Sequence, residues 1–71
     1  MRPIVYSTLA MEMAKAGITN KAIAVALGIS IRSFYSRMRG ETVFNWDETC
    51  IIQNTFFPNI PKESLFHREA S

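Results

Sequence analysis

The sequence has few of the residues that form covalent cross-links or metal sites. Cys50 is the single cysteine, so no disulfide can form within the chain, and a reducing compartment is expected. His67 is the single histidine, so no Cys/His set has the spacing of a zinc site. We therefore expect neither a metal ion nor another cofactor.

Long hydrophobic runs are missing as well. No apolar stretch approaches the roughly 18 residues needed to cross a bilayer, and no signal peptide is recognisable after Met1. The chain has 71 residues, which predicts one domain over residues 1–71 and leaves no room for a cleft between two subdomains. Ser/His/Asp sets, paired carboxylate sites and glycine-rich phosphate loops are also missing. We therefore expect a cytoplasmic domain without enzymatic activity, small-molecule substrate or membrane contact.

Acidic residues are scarce in the first half of the chain. Residues 1–40 hold six Lys or Arg side chains and one acid, Glu12, which gives +5, whereas residues 41–71 give −3. A basic half suits a polyanion such as a nucleic acid, and an acidic half would lie away from it. Ordinary solvated charge explains a difference of this size equally well, so charge alone does not decide the function.

The sequence does contain apolar residues spaced three and four apart, in stretches that each end at a glycine. Glycine is the residue expected just past a helix, because it adopts left-handed backbone angles without strain. The first helix is predicted over residues 7–16, with Leu9 and Met13 on one face. No segment alternates long enough to predict a strand. The expected fold is all-α, a compact bundle of about five short helices.

Polar residues mark the starts of the next three helices. Thr19, Ser30 and Asn45 are good N-caps, and apolar residues flank the first two at the spacing of a hydrophobic staple. The second and third helices are predicted to end near the next glycine, and the fourth at residue 56 or 57. A final turn is predicted over residues 61–66, with Pro61 as its first helical residue.

The segment from Asn20 to Gly40 resembles the helix-turn-helix of the lambda repressor and Cro proteins, also called the XRE family. Ala24 is small where the two helices would touch, and Gly28 makes the turn four residues later. Phe34 is apolar at the position that locks the second helix onto the first. The wider pattern covers residues 7–66. It includes Lys15-Ala-Gly-Ile-Thr19 before the motif, Phe44-Asn-Trp-Asp-Glu48 after it, and Ser64-Leu-Phe66 near the end.

This resemblance implies a lambda repressor-like domain with a helix-turn-helix over about residues 19–39 and its second helix in the major groove of DNA. The implied base contacts are Ile31, Arg32, Ser33 and Ser36. Arg32 is the strongest of these, since arginine can pair with two acceptors of guanine. Ile31 either packs on a thymine methyl group or folds back onto the protein.

The implied phosphate contacts lie on both helices of the motif. They are Asn20, Lys21, Tyr35, Arg37 and Arg39. Free N–H groups at the start of the second helix also favour an anion. Tyr35 has a competing interpretation as part of the core edge. Arg37 takes a position that is often apolar in this family, which leaves its role open.

The resulting hypothesis is a sequence-specific, double-stranded-DNA-binding transcriptional regulator of the Cro or repressor type. The resemblance implies a small phage or prophage regulator that acts in the cytoplasm of a bacterial host cell. The alternative is a protein–protein interaction module of the same fold, such as an antirepressor or an adaptor, that does not bind DNA.

The last third of the chain has more apolar side chains than a small core requires. Because such a surface would be a liability on a monomer, it predicts a homodimer, with an interface in about residues 45–66. The expected interface residues are Trp46, Cys50, Ile51, Phe57, Leu65 and Phe66. The competing interpretation is that these side chains complete the core beneath the first helix.

Overall fold

The computed structural model describes residues 4–68, which form five α-helices and no strand. The helices are α1 (Ser7–Ala16), α2 (Asn20–Leu27), α3 (Ile31–Met38), α4 (Trp46–Phe56) and α5 (Lys62–Leu65). The predicted all-α bundle of about five short helices is confirmed over this range. None of these helices combines the length and apolarity that crossing a bilayer would take.

The three predicted N-caps each satisfy a free backbone N–H at the start of a helix. Thr19 Oγ1 accepts from the Ala22 N–H at 3.1 Å, and Asn45 Oδ1 accepts from the Glu48 N–H at 2.8 Å. The prediction for α5 is wrong by one residue. Pro61 is the N-cap, with an extended backbone at ψ 144°, and Lys62 is the first helical residue.

The core is built from all five helices and from Tyr6, which precedes α1. Helix α2 packs against α3 and α4, α4 packs against α5, and α5 packs against α1. The buried apolar side chains are Tyr6, Leu9, Met13, Ile23, Ala24, Phe34, Met38, Ile52, Phe57 and Leu65. Ala24, Phe34 and Met38 are thus buried together, while Leu27 is only half-buried against this cluster.

Part of the expected dimer interface lies inside this core. Phe57 is 5% exposed and Leu65 is 0% exposed, so the prediction that they form an interface is wrong. Phe66 is half-buried, and its ring meets those of Tyr6 and Phe44 edge to face, with centroids 6.1 and 5.4 Å apart. The reason is that α5 folds back onto α4 and α1 and covers apolar surface that the sequence left unassigned.

The two ends of the described chain meet at the end of α3. The Val5 N–H donates to the Met38 carbonyl at 2.8 Å, and the Arg68 guanidinium lies 5.7 Å from the centre of the Tyr6 ring. Gly40 sits between them with φ +79°, where a Cβ atom would come within 2.7 Å of Arg68 Nη2. The backbone angle at Gly40 favours glycine, because L side chains rarely adopt a φ in this range.

Candidate nucleic-acid interface

Helices α2 and α3 are joined by three residues, Gly28, Ile29 and Ser30. Gly28 has φ +72°, and the Ile29 N–H donates to the Ala24 carbonyl at 3.0 Å, which closes the end of α2. Ser30 then begins α3 by accepting from the Ser33 N–H at 3.0 Å. The two helices also pack directly against each other, as the predicted helix-turn-helix requires.

The start of α3 presents two of the predicted base contacts to solvent. Ile31 is 40% exposed and Arg32 is exposed, and neither belongs to the core cluster. Ser33 and Ser36 are half-buried. The Ser33 hydroxyl accepts a hydrogen bond from the Ser30 hydroxyl at 3.1 Å, which ties it to the helix cap. Ile31 and Arg32 therefore form the outermost part of the predicted base-reading set.

Three predicted phosphate contacts lie around the start of α2. Lys21 is exposed on its first turn. The Asn20 side-chain amide donates to the Tyr35 hydroxyl at 2.9 Å, a bond that joins the first residue of α2 to the middle of α3. Tyr35 is 38% exposed and is not one of the buried core residues.

Arg37 does not fit its predicted role as a phosphate contact. Its Nε and Nη2 donate to the two carboxylate oxygens of Glu48 at 3.0 and 3.1 Å, and its Nη1 donates to the Ser33 carbonyl at 3.1 Å. Glu48 is only 8% exposed and also accepts from the Asn45 N–H at 3.1 Å. A half-buried guanidinium held by both oxygens of a buried carboxylate links α3 to α4 and is not available to DNA.

Arg39, the last predicted phosphate contact, pairs with its neighbour Glu41. Its Nε lies 3.3 Å from Glu41 Oε2, and both side chains are partly exposed. Exposed pairs of this kind are weak, typically below about 1 kcal/mol, so the pair can open when a phosphate approaches.

The partner of Arg37 is not evident from the sequence. Glu48 completes a capping box with Asn45, and nothing in its eleven-residue separation from Arg37 points to a second role. The only available signal was that an arginine occupies a position where the family usually has an apolar residue. A polar side chain at such a position needs a partner when it is buried, and Glu48 is that partner.

The three remaining predicted interface residues lie on α4. Trp46 is 71% exposed, Ile51 is more modestly exposed, and Cys50 is half-buried with its Sγ 3.2 Å from the Lys62 ammonium nitrogen. Among residues 4–68, no three side chains of His, Cys, Asp or Glu are grouped so as to hold a metal ion.

Comparison of the chain with protein-family models, with curated proteins and with solved structures finds no match.

Proposed function

We propose that this protein is a sequence-specific, double-stranded-DNA-binding transcriptional regulator of the Cro or small-repressor type. The observation that carries the proposal is the exposed Ile31–Arg32 pair at the start of α3, on a helix-turn-helix whose residues 20–40 include no acid. The N-terminal residues of the second helix are the ones that such a motif presents to base edges. The proposal places the protein in the cytoplasm of a bacterial cell, as a phage or prophage regulator.

In this proposal the two helices of the motif have separate tasks. Arg32 donates two hydrogen bonds to O6 and N7 of a guanine, and Ile31 packs on a thymine methyl group. Lys21 and the free N–H groups at the start of α2 bind a backbone phosphate. The Tyr35 hydroxyl already accepts from Asn20, so its own hydrogen is left for a phosphate oxygen.

The proposal includes a homodimer. One short recognition helix reads too few bases to select a site in a genome, and regulators with this motif use two half-sites about one helical turn apart. After Phe57 and Leu65 are assigned to the core, Trp46 and Ile51 are the exposed apolar side chains left from the expected interface.

A protein–protein interaction module is the alternative, and one observation favours it. Val25 is among the most exposed apolar side chains of the described chain, and Ala22 and Ala26 on the same helix are exposed as well. This outer face of α2 is apolar where a phosphate-binding surface would gain from charge.

Selection of bound fragments from random double-stranded DNA, at a stated salt concentration, tests the proposal. The expected result is one enriched motif, bound with an affinity that falls steeply as salt rises. A matched selection with a K21A/R32A variant controls for carry-over of DNA. If the wild type enriches no motif and binds no DNA at low salt, the interaction module becomes the better explanation.

A further inference from the structure

A surface groove lies between the start of α4 and α5, on helices other than those of the helix-turn-helix. Its walls are the rings of Phe44, Trp46 and Phe66, and its rim carries Lys62 and Glu63. We call this the α4–α5 groove. Its volume of about 330 Å³ lies at the lower end of the range for binding pockets, so it has room for a large side chain.

Trp46 is the most conspicuous residue of the α4–α5 groove. Its side chain is 71% exposed, although tryptophan is usually well covered by other groups. The Lys62 ammonium lies 3.4 Å from the ring centre and covers part of one face. Most of the indole remains open to solvent beside two other aromatic rings, and tryptophan is among the commonest anchors of protein interfaces.

Within residues 4–68, the charges on the rim lack partners of opposite sign. The Lys62 ammonium contacts the Trp46 ring and Cys50 Sγ, but no carboxylate of residues 4–68 lies within 4.0 Å of it. Glu63 likewise has no ion pair in this part of the chain. The groove thus offers one cation and one anion on consecutive residues, next to an apolar surface.

A second copy of this chain is the occupant that these charges fit. A two-fold axis places the same surface of each copy against the other, so this surface must be complementary to itself. A rim with one cation and one anion meets that condition, whereas a partner of one charge sign would leave a like charge facing it. Neither α2 nor α3 lines the groove, so contacts made inside it do not use Ile31 or Arg32.

We propose that two copies associate through their α4–α5 grooves, with Lys62 of each copy paired to Glu63 of the other and the two Trp46 rings covered. The proposal deepens the homodimer of the proposed function and rests on it only for its use on DNA. Trp46 is the single tryptophan, so all tryptophan fluorescence comes from this groove.

Sedimentation and tryptophan fluorescence without DNA test the proposal. The wild type is expected to dimerise with rising concentration, while the Trp46 emission shifts to shorter wavelength. K62E and E63K should each weaken the homodimer about tenfold, because each places like charges opposite one another twice. W46A should weaken it about thirtyfold or more, as for an anchor residue.

A mixture of the two charge variants is the most direct test of the proposed charge pairs. An equimolar mixture of K62E and E63K restores both opposite-charge pairs, so it should form a heterodimer with close to wild-type affinity. K15E changes the net charge equally on exposed α1 and should leave dimerisation unchanged. A wild type that stays monomeric, or a mixture that associates no better than either variant alone, would overturn the proposal. Neither outcome involves DNA, so the DNA binding of the proposed function is judged separately, by the selection of bound fragments.

Discussion

At the scale of single residues, Arg32 and Arg37 lie on the same helix in different surroundings. Arg32 is exposed and has no hydrogen-bond or ion-pair partner in the described part of the chain, whereas Arg37 donates three hydrogen bonds to Glu48 and Ser33. A guanidinium can bind a guanine only if its donors are not already used. Arg32 is therefore the arginine of α3 that can give sequence selectivity.

Replacing Arg32 should change which DNA is bound, and replacing Lys21 should change how tightly any DNA is bound. Arg32→Ala should lose about 1–3 kcal/mol on the selected site and relax the preference at one base position. Lys21→Ala should weaken binding to all sequences and reduce the salt slope by about one. Titration of selected and random DNA across a salt series measures both. Equal losses on the two DNAs for Arg32→Ala would make Arg32 a phosphate contact.

Removing Arg37 should destabilise the fold rather than act on DNA. Arg37→Ala leaves the buried Glu48 carboxylate without its cation, which should lower the free energy of unfolding by about 2–3 kcal/mol. Arg39→Ala is the matched control, because it breaks an exposed pair and should cost below about 1 kcal/mol. Urea denaturation compares the two. Similar losses would mean that the Arg37–Glu48 pair contributes no more than a surface pair.

The sequence predicted both arginines to lie on α3 and left the role of Arg37 open. Exposure and pairing depend on which residue of α4 comes to rest beside α3, and that is decided by packing between helices. Arg32 was predicted as a base contact from the resemblance to the lambda repressor and Cro family, which rests on a short local stretch of sequence. The partner of Arg37 depended on a contact eleven residues away, which no local pattern encodes.

At the scale of helices, the residues at which helices begin were predicted better than the contacts between helices. An N-cap is a contact between residues three apart, so Thr19, Ser30 and Asn45 were identifiable from sequence. The return of α5 onto α1 joins residues far apart in the chain, so Phe57 and Leu65 were assigned to an interface when they belong to the core. An excess of apolar residues in a sequence does not reveal whether the folded chain buries them itself or leaves them for a partner.

A larger side chain at Ala24 should disturb the packing between α2 and α3. This residue is buried in the core cluster with Phe34, so Ala24→Leu should overpack the contact and lower the free energy of unfolding by about 1–3 kcal/mol. Ala26→Leu makes the same change on the exposed side of α2 and should leave the melting temperature nearly unchanged. Thermal denaturation followed by circular dichroism compares them. Equal melting temperatures for both variants would contradict the packing described for α2.

At the scale of the whole molecule, the two proposed contacts use different parts of the chain. The exposed Lys21 and Arg32 lie on the basic half, while the α4–α5 groove is built from the acidic half. If both contacts form, a dimer presents two copies of α3 to one duplex. The acidic half of each chain then lies at the contact between the copies. The charge difference between the two halves then follows from their separate contacts, because the basic half meets DNA and the acidic half meets the second copy.

The two contacts can be separated by comparing a full site with a single half-site. K62E lies outside the helix-turn-helix, so it should bind an isolated half-site as the wild type does. On the full site, with half-sites about one helical turn apart, the wild type should bind cooperatively, and K62E should lose most of that advantage. Adding E63K protein to K62E should restore cooperative binding, because the mixed dimer recovers both charge pairs. If K62E loses the same affinity on the half-site and on the full site, Lys62 acts on DNA directly or through the fold. If K62E leaves cooperative binding unaffected, the contact between copies lies elsewhere on the surface.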